Sequence, residues 1–203
     1  MAPGDDVVAV VEAHLAAALG APTGKASVTF LGTEPLDVLR FGPAAGPEGE
    51  PLVRYATLGM SRHPMHDPAD LAPDPVRGPR AELVLTVREP VDDVLRTLAV
   101  LAAAPSVEGL VVQPGASVDL QQPLWPGATV SAVLVGEPGG LVPDLALAEP
   151  ADPVRFVPVR PMTAHEAAWK RVHGAAALEE RWLAHGTDLR DPRRGGVPLS
   201  ADD

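Results

Sequence analysis

Residues 53–65, Val-Arg-Tyr-Ala-Thr-Leu-Gly-Met-Ser-Arg-His-Pro-Met, change character half-way along. Val53, Tyr55 and Thr57 fall on alternate positions and are β-branched or aromatic, which predicts a strand over Leu52–Leu58. Gly59 breaks that pattern, and Pro64 and Pro68 cannot donate to a strand ladder. The strand therefore has to deliver the chain into an irregular segment. That segment, Ser61 to Arg80, holds five prolines and no periodicity. A loop of such length inside a compact domain is a functional or a mobile element.

The flanking sequence supplies a body for this loop. Asp5-Asp6 can cap a first helix whose apolar stripe is Val8, Val11, Leu15 and Leu19, ended by Gly20 and Pro22. Ser27–Leu31 and Leu36–Phe41 read as short strands, and Gly42–Pro51 as an exposed hairpin loop. Ala81–Arg88 is a further strand. Pro90 then opens a helix carrying Val91, Val94, Leu95, Leu98 and Leu101 that closes before Pro105. Leu110–Val112, Thr129–Val135 and Val154–Val159 are strand candidates. A last helix, Ala164–His185, presents Ala164, Ala168, Val172, Ala175, Leu178 and Trp182 at three- and four-residue steps. Strands and three helices at uneven intervals do not make a βαβ repeat. They predict a single α+β domain with a mixed or mostly antiparallel sheet and about three helices packed mainly on one side.

Glycine and proline make up 43 of the 203 residues, short of the share at which disorder becomes the default. Aromatic residues are only 3%, so Val, Leu and Ala must fill the core. The net charge of −11, with basic residues scattered, argues against nucleic-acid binding and for a basic partner if a charged one exists. Cysteine is absent, which removes disulfides and thiolate chemistry and fits a reducing cytoplasm. The amino terminus lacks the pattern of a secretory signal. The longest uncharged run, Leu120–Gly136, carries two prolines and two glutamines, so no membrane span is expected.

The strand running into Thr57-Leu58-Gly59-Met60-Ser61-x-x-Pro64-Met65 resembles the suppressor of fused family in its bacterial single-domain form. A second block, Arg155-Phe156-Val157-Pro158-Val159-Arg160-Pro161-Met162-Thr163, looks like the strand and turn that lead into the closing helix of the same domain. The resemblance places a suppressor-of-fused-like domain over residues 5–190, and the polar, glycine-rich sequence after Asp188 predicts a flexible tail over 191–203. It implies a non-catalytic protein-binding domain without a cofactor. Bacterial domains of this kind include immunity proteins that neutralise toxins. The animal protein that names the family is larger, with a second lobe, and holds a transcription-factor peptide between its lobes as an added strand. This chain has no length for that lobe, so no clamping residue carries over.

The residues themselves offer few candidates for chemistry. No nucleophile elbow, dinucleotide fingerprint or phosphate loop occurs. His63, His66 and Asp67 could supply two imidazoles and a carboxylate to a metal or an enzyme site, the alternative to protein binding; the plainer expectation is that Met60 and Met65 anchor the loop while the histidines face water. His165-Glu166 lacks the second histidine one turn on that zinc helices need, because Trp169 stands there; Glu166 instead fits a capping box with Thr163. Arg54 and Arg62 flank the first block and can pair with acids or with a partner. For partner contact the candidates are Arg62, His63, His66 and Asp67 on the loop, together with Trp125 on a proline-rich turn, which reads equally as a loop tucked onto the core. The oligomeric state is left open.

Overall fold

A computed structural model describes residues 3–30, 33–67 and 69–199. Among them the chain runs α1 (Pro3–Leu19), β1 (Pro22–Val28), β2 (Leu36–Ala45), β3 (Pro51–Leu58), a 3-10 turn (Met60–Arg62), β4 (Arg80–Val87), α2 (Val94–Glu108), β5 (Ser117–Asp119), β6 (Val130–Val135), β7 (Val154–Thr163), α3 (Ala164–His173) and α4 (Ala175–Ala184). The strands form one seven-stranded sheet in the order β1-β2-β3-β4-β7-β6-β5, with β1 and β5 at its edges. β4 and β7 are parallel and the other neighbours antiparallel. The α+β class and the mixed sheet are those expected from the sequence.

Strand alternation divides the interior into two layers. On one face Val38, Val53, Tyr55, Leu83 and Leu85 pack against Val94, Leu98 and Leu101 of α2. On the other, Leu39, Phe41, Ala56, Leu58 and Phe156 lie under Val11 and Leu15 of α1. Further along that second face, Ala132, Leu134 and Met162 are covered by Ala167 of α3 and by Leu178 and Trp182 of α4. Three of the four helices thus share one face and α2 takes the other. Fully burying a leucine such as Leu15 or Leu98 contributes about 1.5–3 kcal/mol.

Several element boundaries differ from the sequence expectation, each for a local reason. The Gly42–Pro51 segment is not all loop: β2 continues to Ala45 past a register shift between Phe41 and Ala44. Gly42 makes that shift possible, because its φ is +90° and a Cβ there would stand 2.7 Å from the Leu52 carbonyl oxygen. β1 lies earlier than Ser27–Leu31, and Leu31 is outside the described residues. α1 begins at Pro3, so Asp5 and Asp6 fall within its first turns rather than before it.

α2 starts four residues after Pro90, since the turn before it is held by Tyr55. The Tyr55 hydroxyl accepts from the Val91 amide at 2.8 Å and donates to Asp92 Oδ1 at 3.0 Å. The helix also passes through Pro105, which sits in its last turn, where a missing N–H removes only the bond to Leu101. Leu110–Val112 forms no strand; the edge strand is β5 instead.

The closing helix breaks at Gly174, with φ +90°, into α3 and α4. The break shifts the buried stripe. Ala164, Ala168 and Val172 face solvent, with Val172 79% exposed, while Glu166 and Ala167 turn inward. Leu178 and Trp182 are buried as the spacing predicts. Beyond α4 the chain stays against the body as far as it is described: Pro192, Arg194 and Val197 are buried rather than part of a loose tail.

Candidate functional site

The corner that ends β3 is organised around Glu82, a residue of β4 with no solvent exposure. Its Oε2 accepts from Thr57 Oγ1 at 2.6 Å. Its Oε1 accepts from the Gly59 amide at 2.9 Å, the Ser61 amide at 3.0 Å and Ser61 Oγ at 2.6 Å. Thr57 Oγ1 in turn accepts from the Leu83 amide at 2.8 Å, which directs its own proton to Glu82. Gly59 has φ +113°, and a Cβ on it would lie 3.2 Å from the Pro35 carbonyl oxygen. The Thr-Leu-Gly-Met-Ser sequence is therefore the imprint of a buried carboxylate supplied from the next strand. Burial pushes the Glu82 carboxyl above the usual range, and the four donors oppose that rise without cancelling it.

Arg80, also in β4 and buried, holds the loop that follows. One terminal nitrogen donates to the carbonyls of Ser61 and Arg62, both at 2.8 Å, and the other to Val76 at 3.1 Å. The Met65 amide donates to the Pro79 carbonyl at 2.8 Å, and Asp152 accepts from the Gly78 amide at 2.6 Å. Met60 and Met65 are buried, so they anchor the loop to the core. Clamped at its base in this way, the loop stands over the carboxyl-terminal end of α2 and encloses a cleft of about 580 Å³.

Four of the five candidate contact residues lie on this loop. His63 and His66 line the cleft together with Asp67, Asp70 and Glu34. His63 is largely exposed and its Nε2 stands 2.8 Å from Glu34 Oε2, which also approaches Arg62 Nε at 3.3 Å. Asp67 is exposed and caps the Ala69 amide at 2.8 Å. Glu34 thus engages one of the three residues of the metal alternative, and among the described residues no group of three His, Cys, Asp or Glu could hold a metal ion. Trp125 lies apart from the cleft. It is buried, and its indole N–H donates to the Pro192 carbonyl at 3.2 Å, so it faces the core rather than solvent.

The second sequence block is also built on a buried carboxylate. Glu166 and Thr163 form the capping box at the start of α3. The same carboxylate accepts from Trp182 Nε1 at 2.9 Å, from the Val197 amide at 3.0 Å and from both terminal nitrogens of Arg194 at 2.8 and 2.9 Å. Burial alone would raise the Glu166 carboxyl; Arg194, Thr163, Trp182 and Val197 together hold it below the usual range. Neither Glu82 nor Arg194 was selected from the sequence. A signal for Glu82 existed, since it is the one charged residue in the segment Ala81–Val87. Arg194 carried none.

The sequence model of the suppressor of fused protein family matches residues 32–195. This chain belongs to the suppressor of fused family. The fold agrees with a suppressor of fused homologue from Neisseria gonorrhoeae FA 1090, at 19% identity and a TM-score of 0.67, covering 97% of this chain and 100% of that one. It agrees equally with a chain of the Sufu–Fu complex, at 13% identity and a TM-score of 0.67, covering 96% of this chain and 92% of that one. Drosophila Suppressor of fused matches at 12% identity and a TM-score of 0.65; the alignment covers 96% of this chain and 51% of the fly protein. No curated protein sequence matches. Among the described residues no helix is long and apolar enough to cross a membrane.

Proposed function

We propose that the chain is a non-catalytic, cytoplasmic protein-binding domain that engages its partner through the cleft-forming loop 62–79, with Arg62, His63, His66 and Asp67 as contacts. The partner class proposed is a bacterial toxin domain, which makes this an immunity protein. The observation that carries the binding reading is the likeness, over nearly the whole chain, to a protein captured in the Sufu–Fu complex. The chemistry of the site supports it. The two buried carboxylates, which are the groups best placed for acid–base work, already accept four or more hydrogen bonds each and hold loops in place. The cleft that opens to solvent is wide, rimmed by acids and preorganised by the Arg80 clamp, and a rigid loop binds with less entropy lost.

Co-expression tests the finer proposal. A toxin domain encoded beside this chain's gene should arrest growth alone and lose that effect when the chain is present, with the two proteins co-purifying in equal amounts. Continued growth arrest in the presence of soluble chain would reject the immunity role and leave binding of another partner to be sought.

A further inference from the structure

We infer that the loop cleft receives an arginine side chain projecting from the protein partner; this rests on the protein-binding reading above and names the partner's chemistry. The floor of the cleft is apolar, formed by Leu36, Met60, Met65 and Ala102. Its rim carries the carboxylates of Glu34, Asp67 and Asp70 beside the imidazoles of His63 and His66; Glu34 already meets His63 Nε2 at 2.8 Å and Arg62 Nε at 3.3 Å, so Asp67 and Asp70 are the acids that face an incoming cation. A long cationic side chain suits both parts, with its methylene stem on the methionines and its charge among the carboxylates.

The far wall strengthens the preference for a cation. Pro105 and Ser106 belong to the last turn of α2 and Gly109 is its left-handed cap, so the negative end of that helix borders the cleft. Arginine fits better than lysine because the Asp67 and Asp70 carboxylates stand at different rim positions, and a planar guanidinium offers five donors to them. The net charge of −11 draws a basic partner toward the molecule as a whole.

The test is a titration of the full chain followed by backbone amide chemical shifts. The probes are N-acetyl-arginine amide and its uncharged isostere N-acetyl-citrulline amide. The arginine probe is expected to give saturable shifts at Glu34, Met60, Met65, Asp67 and Asp70, and citrulline none. Asp67→Asn together with Asp70→Asn, both exposed positions, is expected to weaken the arginine response roughly fivefold, as loss of two exposed ion pairs implies. Equal responses to the two probes, or shifts gathered elsewhere on the molecule, overturn the inference. A partner complex that forms as well with Asp67→Lys and Asp70→Lys as with the parent chain also overturns it, while protein binding stands. Arginine-specific saturation of the cleft with no protein partner found supports the cleft chemistry and counts against the functional reading instead.

Discussion

Removing the Glu82 carboxylate is expected to unfasten the corner on which the cleft is built. In Glu82→Ala the amides of Gly59 and Ser61 lose their acceptor in a site with no solvent exposure. An unpaired buried donor costs about 1–3 kcal/mol, so the two amides together cost about 2–6 kcal/mol before the cavity is counted. Domains of this kind have about 5–15 kcal/mol in total, so the variant should be severely weakened. Glu82→Gln separates this argument from a simple loss of volume. Its carbonyl oxygen can take the place of Oε1 and keep three donors, while the amide group faces Thr57, whose hydroxyl can turn to accept. The expected loss is about 1–2 kcal/mol. Urea unfolding of both variants, compared at equal m, reads the difference. Equal losses in the two variants, or a loss under about 1 kcal/mol in Glu82→Ala, would mean that the buried amides do not depend on this carboxylate.

The same residue predicts a pH signature. Because burial raises the Glu82 carboxyl in the folded state, its contribution is fully present below the ordinary glutamate value of 4.5 and is lost as pH rises through the higher folded value. Glu82→Gln should abolish that part of the decline, measured as unfolding free energy from about pH 4 upward.

Glu166 has the opposite sign: its carboxyl is held low, so its contribution is present above 4.5 and lost as pH falls through the folded value. Arg194→Met leaves that carboxylate buried without its cation and should cost about 3–5 kcal/mol near neutral pH in denaturant titrations. The same variant should flatten the acid limb of the stability profile. Gly59→Ala forces a side chain into a φ of +113° and should cost about 1–3 kcal/mol in thermal unfolding. Elemental analysis of purified chain should find no stoichiometric zinc or iron; a full equivalent lost on His66→Ala would restore the metal alternative.

The sequence carried the sheet well because strand alternation and glycine-proline punctuation are local signals. Val53, Tyr55 and Leu85 could be placed in strands from their spacing alone, and Thr163–Glu166 disclosed its capping box. The misplaced boundaries have tertiary causes. Nothing near Pro90 announces that Tyr55, on another strand, will hold Val91 and Asp92 and delay α2. Gly174 splits the closing helix and rotates its inward face, so a uniform 3.6-residue stripe assigns Ala164 and Val172 to the wrong side.

The site was half legible. The loop stood out through its prolines, and its methionines were recognisable anchors. The cleft itself was not, because it needs Glu34 from one loop and the end of α2 from another region to meet residues 63–70. For Trp125 the sequence left an interface anchor and a loop tucked onto the core both open; what decides between them, its acceptor at the Pro192 carbonyl, lies 67 residues on in a polar, glycine-rich segment.

Affinity capture of the tagged chain from its own host, followed by measurement of complex stoichiometry and hydrogen exchange, asks whether this domain works by holding another protein. A one-to-one protein complex is expected, in which peptides from 60–79 and the end of α2 gain protection. Recovery of no stoichiometric partner in any growth state, with these peptides exchanging as in the isolated chain, would contradict it.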